Sequence, residues 1–154
     1  MNPHVNENED ESEDLDELYQ EIIIDHFKNP RNFQSISEEE ALADEENPTC
    51  GDQIRLIARV EDGLVADVKY EAHGCAISTA SASMMSEVLL GKPVDQVREY
   101  IQNFVLALKG QKDMDPDEFG DAIALAGVKR YPLRIKCATM SWHALAHALD
   151  RLGA

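Results

Sequence analysis

Apolar residues along the chain switch between helical and strand periods, and each switch marks a new element. Leu15, Leu18, Tyr19, Ile22, Ile23 and Phe27 recur at three- and four-residue spacing, as on a helix with one apolar face. Asp14, with Glu17 three residues on, offers an N-cap and its capping-box partner. The helix is expected to stop near Asn29-Pro30, since proline holds the residue before it in extended backbone. Residues 34–48 are acidic and close on Asn47-Pro48, which reads as a surface loop ending in a turn. The period then drops to two. Ile54, Leu56, Ala58 and Val60 alternate with Gln53, Arg55, Ile57 and Arg59, and Leu64, Ala66, Val68 and Tyr70 alternate similarly beyond Asp62-Gly63. Asp-Gly suits the positive φ of a tight turn, so this stretch predicts a β-hairpin.

Beyond the hairpin the chain returns to helical patterns. Ala76 to Leu90 is small or apolar and is stopped by Gly91 and Pro93, the usual order at a helix end. A second helix is expected over Asp95 to Leu108, a polar segment over Gly110 to Phe119 and a short helix over Asp121 to Ala126. A last helix is expected from about Ala138 to Leu152, with Trp142, Leu145, Ala146 and Leu149 inward. No internal repeat is present. Helix, antiparallel strands, then helices make an α+β fold, a small antiparallel β-sheet with helices packed on one face.

Length sets the domain count. A chain of 154 residues buries enough surface for one stable core, so residues 14–154 are expected to form a single domain. Residues 1–13 are mostly Asn, Glu, Asp and Ser; with so little to bury they cannot offset their ordering entropy and are expected to be a disordered acidic tail.

Charge excludes some functions. The formal net charge is −16, but residues 1–46 carry 16 of the 30 acids against only Lys28 and Arg31. The rest of the chain is nearly neutral and has no basic face for nucleic acid. No apolar run approaches the roughly 20 residues of a membrane span, and the polar start does not read as a secretory signal. The expected location is cytoplasmic. An acidic tail can also steer a basic partner, although a solvated tail is the simpler meaning.

Three cysteines in a reducing compartment point to metal binding, catalysis or burial before disulfides. Cys50, Cys75 and Cys137 are 25 and 62 residues apart, which matches no zinc-finger spacing. Their places in the pattern are more telling. Cys50 leads into a strand, and Cys75 and Cys137 each precede an expected helix, where unpaired amides and the helix dipole favour the thiolate. Asp52 lies two residues from Cys50, on the same side of an extended segment. Three thiolates and a carboxylate suit tetrahedral Zn2+. Arg134 and Lys136, just before Cys137, are placed to offset the charge or orient a ligand; for Lys136 a solvated surface base is the simpler reading. Taken singly, each cysteine reads as a buried, inert side chain.

The local sequences change that balance. Pro48-Thr49-Cys50-Gly51-Asp52, Gly74-Cys75-Ala76-Ile77-Ser78 with Ser81-Ala82-Ser83-Met84-Met85, and Arg134-Ile135-Lys136-Cys137-Ala138-Thr139 resemble the SufU branch of the IscU/NifU N-terminal family. Asp25-His26-Phe27-Lys28-Asn29-Pro30-Arg31-Asn32 is similar to it as well, so the resemblance runs from about Leu15 to the last helix. Two features depart from the IscU scaffold branch: Lys136-Cys137 stands where those proteins have His-Cys, and the interval from Cys75 to Cys137 is longer, with the extra residues expected near Gly110 to Tyr131. The resemblance implies zinc held by Cys50, Asp52, Cys75 and Cys137. It further implies a sulfur acceptor for a SufS-type cysteine desulfurase in iron–sulfur cluster assembly, with a SufBCD-type scaffold downstream. Cys50 would take the sulfur after a histidine of the desulfurase replaces it on the metal, and Arg134 would assist.

Two other readings stay open. An IscU-type scaffold would hold a transient iron–sulfur cluster on the same donors, and a binding module would use its zinc only to hold the fold. His73, near Cys75, reads as a surface residue at a strand end, and His26 as capping or flanking the first helix. Met84, Met85 and Met140 read as core fillers. His143 and His147 are spaced i, i+4, which binds metal on a helix face; with no third donor evident beside them in sequence, they read as ordinary helical side chains.

Overall fold

The computed structural model describes residues 7–48 and 50–154. Helix α1 spans Glu7–Lys28. Three strands follow, β1 (Ala43–Asn47), β2 (Asp52–Glu61) and β3 (Leu64–His73), then α2 (Ala76–Leu89), α3 (Val94–Leu108), the single turn α4 (Pro116–Phe119), a 3-10 segment over Gly120–Arg130 and α5 (Pro132–Arg151). The sheet is antiparallel in the order β1-β2-β3, and α2, α3 and α5 pack on it. The α+β expectation therefore holds.

The hairpin turns at Asp62-Gly63, both with positive φ (53° and 75°), as a two-residue primed turn requires. The simple alternation breaks once. Arg59 pairs with Asp67 but Val60 pairs with Val65, leaving Ala66 as an extra residue in β3. This bulge exchanges the faces: Val65 is buried and Leu64 is 40% exposed, the reverse of the expected phase.

Three element boundaries also move. Residues 43–47, expected in a loop, form β1 and pair with β2 from Ala43↔Leu56 to Asn47↔Asp52; their acidic side chains hide a strand whose inward residues are only its first and last, Ala43 and Asn47. Helix α1 begins at Glu7, so residues 7–13 are helical, Asp14 lies inside the helix, and residues 1–6 fall outside the described part. Glutamates favour helix and acidic groups suit the positive end of its dipole, so such an extension needs no burial. The last helix starts at Pro132 instead of Ala138, proline being well suited to a first helical position.

The core forms where α2 is sandwiched between α1, α5 and the sheet. Its small residues Ala80, Ser81, Ala82 and Ser83 are buried and let the neighbours approach closely. Across it, Trp142 of α5 stacks on Phe104 at 3.8 Å between ring centroids and donates its indole N–H to Ser81 Oγ at 3.0 Å. On α1, Tyr19, Ile22 and Ile23 pack against this core, whereas Leu18 and Phe27 stay about half exposed. His26 neither caps nor flanks the helix. It is fully buried, with Nδ1 2.7 Å from Ser83 Oγ and Nε2 2.8 Å from Asp121 Oδ2. Ser83 Oγ also accepts from the Arg31 amide at 2.9 Å. One side chain thereby ties α1, α2 and the 3-10 segment together.

Trp142→Ala should cost about 3–5 kcal/mol, the range for removing a buried aromatic side chain, read from urea unfolding of the full chain.

Candidate metal centre

The sheet register brings distant parts of the chain to one end of the molecule. Asn47 pairs with Asp52 and Gln53 with His73, so the β1–β2 turn, the start of β2 and the exit of β3 lie side by side. Cys50 sits in that turn, which is closed by Cys50 and Gly51 amides donating to the Asn47 carbonyl at 3.2 and 2.8 Å. Asp52 opens β2 on the inward face shared with Ile54 and Leu56. Cys75 is the N-cap of α2, its Sγ accepting from the Ser78 amide at 3.5 Å. Thr49 lies outside the described residues.

Cys137 departs from expectation. Because α5 begins at Pro132, this cysteine stands in the second turn of the helix, not at its positive end. It is fully buried, and burial, together with Cys50 and Asp52 beside it, pushes its pKa far above the ordinary thiol value. Gly51 also alters the expected geometry. Its φ of +71° makes the Cys50-Gly51-Asp52 segment a turn, yet the two side chains still meet.

The donor atoms converge. Cys50, Asp52 and Cys137 each offer an atom within 4.8 Å of the other two, and the sulfurs of Cys137 and Cys50 are 3.1 Å apart. Cys75 lies outside that tightest group but touches it: its Sγ is 3.7 Å from Asp52 Oδ2. Its amide donates to Asp52 Oδ1 at 2.8 Å. Asn47 Nδ2 approaches Cys137 Sγ at 3.9 Å, a contact that the turn signal at Asn47-Pro48 did not foretell. Arg134 is exposed; a hydrogen bond to the Cys137 side chain, with the charges of Cys75, Cys137 and Cys50 beside it, raises its pKa. Lys136 is exposed. His73 is on the surface, bonded to Glu71 Oε2 at 2.7 Å.

Asp52 is wholly buried, and among the described residues no Lys, Arg or His forms an ion pair with it. A buried carboxylate crowded by three thiols lacks the positive charge that would stabilise it. A divalent ion with affinity for sulfur and oxygen supplies that charge, and three thiolates with one carboxylate fit Zn2+.

Gly74 makes the arrangement sterically feasible. A Cβ built there would lie 2.0 Å from Asp52 Oδ1 and 2.9 Å from Asp52 Cα, at a φ of +151°. Only a residue without a side chain lets Asp52 reach the Cys75 amide. Beside the centre, an open groove of about 400 Å3 runs between α1, the 3-10 segment and α5 to Ile77, Tyr131 and Arg134.

Residues 18–138 match the NifU-like N terminal domain. This chain belongs to that family. It is 44% identical over 131 residues, 85% of this chain and 88% of the relative, to the zinc-dependent sulfurtransferase SufU of Bacillus subtilis (strain 168). It is 37% identical over 137 residues, 89% of this chain and 86% of the relative, to the iron–sulfur cluster assembly scaffold protein IscU of Streptococcus pyogenes serotype M1. Among solved structures it resembles FiSufU of Fervidobacterium islandicum AW-1, with a TM-score of 0.73 and 35% identity over 84% of this chain and 94% of that one. Among the described residues no helix is long and apolar enough to cross a membrane.

Gly74→Ala should destabilise the chain by more than Gly63→Ala. Both sites have positive φ, which costs about 1–3 kcal/mol for a residue with a side chain, but nothing lies within 4 Å of a Cβ at Gly63; paired unfolding curves check the difference. In metal-free protein, iodoacetamide should label Cys50 and Cys75, both half-buried, well ahead of Cys137. Its raised pKa keeps Cys137 a thiol as pH climbs from 7 to 9, so the order should persist through that window, as peptide mass mapping would show.

Proposed function

We propose that this chain is a zinc-dependent sulfur acceptor of iron–sulfur cluster assembly, taking persulfide sulfur from a SufS-type cysteine desulfurase. The observation that carries the reading is the meeting of Cys50, Asp52 and Cys137, with Cys75 against Asp52, in a chain 44% identical to a protein named for zinc-dependent sulfur transfer. Cys50, Asp52, Cys75 and Cys137 would hold the ion. When bound, zinc keeps its thiol ligands deprotonated at neutral pH without redox chemistry of its own.

The chain's residues divide the remaining work. Asp52 and Cys137 are fully buried in β2 and α5, and Cys75 is fixed as a helix cap. Cys50 is half-buried in a short turn, where backbone can move without disturbing strand pairing. It is therefore the acceptor. Its thiolate attacks the terminal sulfur of the donor persulfide; a new S–S bond forms on Cys50, the donor S–S bond breaks, and the donor cysteine leaves as thiolate. No oxidant or reductant is consumed. Arg134, exposed at the mouth and bonded to Cys137, is placed to steady the anionic sulfur during transfer.

The likeness to a protein named as an iron–sulfur scaffold favours a second reading, in which a cluster is assembled on the same donors. Lys136 weighs against it: it stands where the scaffold branch is expected to carry a histidine ligand, and an ammonium group offers iron no lone pair. Anaerobic reconstitution separates the two, since a stable cluster at one per chain, formed in preference to retained zinc, would favour the scaffold.

Zinc content and desulfurase stimulation should be measured together. Asp52→Ala, Cys75→Ala and Cys137→Ala should lose zinc and stimulation alike. Cys50→Ala should stay folded and stimulate nothing, and Arg134→Ala should keep zinc but lose about tenfold in stimulation, the equivalent of 1.4 kcal/mol. Full stimulation by Cys50→Ala would exclude it as the acceptor, and its unfolding would point to a purely structural zinc.

A further inference from the structure

Helix α5 carries a second set of donors away from the cysteines. His143 and His147 are both exposed and four residues apart, so at 3.6 residues per turn their rings stand one above the other on one face. The sequence shows no companion for them, but the fold supplies one from β1, which packs against α5. Glu45 Oε1 bonds His147 Nδ1. The same carboxylate acts electrostatically on His143.

This contact fixes chemistry as well as position. With Nδ1 of His147 engaged by Glu45, Nε2 is the ring nitrogen left to meet an ion, the arrangement by which a carboxylate orients and strengthens a metal-binding histidine. His143 is held toward its neutral form, first by partial burial and then by the nearby charges of His147 and Lys109, against the pull of Glu45. A neutral imidazole keeps the lone pair that a metal needs. The side chain of His147 is 60% exposed, leaving room for an ion and its water ligands.

We propose that His143 and His147, braced by Glu45, form a second site for a borderline divalent ion such as Ni2+ or Zn2+ on the outer face of α5. Two imidazoles with water completing the shell suit those ions better than Mg2+ or Ca2+. The site is separate from the cysteine centre. His143 and His147 lie six and ten residues beyond Cys137, about 9 and 15 Å along the axis at 1.5 Å per residue, and they face outward where Cys137 is buried. The inference does not rest on which metal the cysteines hold. On β3, His73 also contacts a carboxylate, that of Glu71, but carries no paired imidazole beside it among the described residues.

The test is calorimetric titration of Ni2+ into the full chain, carrying no affinity tag, after loading with zinc and desalting. Wild type should take up one more Ni2+ per chain than His143→Ala/His147→Ala, and that ion should bring no thiolate-to-metal charge-transfer absorption. Glu45→Gln should weaken it about tenfold or more, as expected for loss of a histidine's supporting carboxylate, while His73→Ala should bind as wild type does. The single variants His143→Ala and His147→Ala, each checked for native circular dichroism, should also lose the extra ion. Equal Ni2+ uptake by wild type and the double variant, thiolate absorption accompanying the extra ion, or equal loss in His73→Ala would each overturn the proposal.

Discussion

A buried carboxylate that has no ion pair among the described residues is the constraint around which the site end of this molecule is organised. Asp52 is fully enclosed, and its neighbours are one backbone amide and thiols that are themselves weak acids. In a low-dielectric setting such a cluster is unfavourable unless positive charge enters or protons are retained. The far-raised pKa of Cys137 is the protein-only response to that crowding. A divalent ion is the alternative response, and the donors present suit one that accepts sulfur. The fit of these donors to a metal and the depth of burial are thus two aspects of the same geometry.

The rest of the fold serves to hold that geometry from opposite sides. The strand register sets Asn47, Asp52 and the exit of β3 together, and the bare backbone of Gly74 lets Asp52 close onto the Cys75 amide. From the other side, α5 delivers Cys137 from its second turn. The placement of α5 depends on the small residues of α2 and on Trp142 bonding Ser81. The buried link from His26 to Ser83 and Asp121 fixes α1 and the 3-10 segment, which line the groove leading to Arg134. Cys50 is carried on the β1–β2 turn, whereas Asp52 and Cys137 sit in β2 and α5 and Cys75 caps α2.

Much of this was legible from residue order. The hairpin, its Asp62-Gly63 turn, α2 with Cys75 as its cap and α3 all follow from periodicity and stop signals, because their local preferences agree with their burial. Where the reading failed, long-range packing overrode local pattern. β1 is acidic and short, so its pairing to β2 leaves almost no apolar trace, and the bulge at Ala66 changes the inward set of β3 without a glycine to announce it. His26 looked like a polar residue near a helix end; nothing local reveals Ser83 and Asp121, 57 and 95 residues away. Cys137 reads as preceding a helix because the apolar pattern alone does not mark the start at Pro132, and the difference matters chemically, since burial raises a thiol's pKa where a helix N-terminus would lower it. The grouping of the three cysteines with Asp52 came from motif resemblance more than from spacing. Asn47 and Gly74 acquire their roles only once the strands are paired.

The central claim is that four side chains from three separate stretches of chain bind one ion. X-ray absorption at the zinc edge of the purified full chain tests it most directly. The account predicts three sulfur neighbours at about 2.3 Å and one oxygen at about 2.0–2.2 Å. A shell dominated by nitrogen and oxygen, or fewer than three sulfurs per zinc, would contradict it.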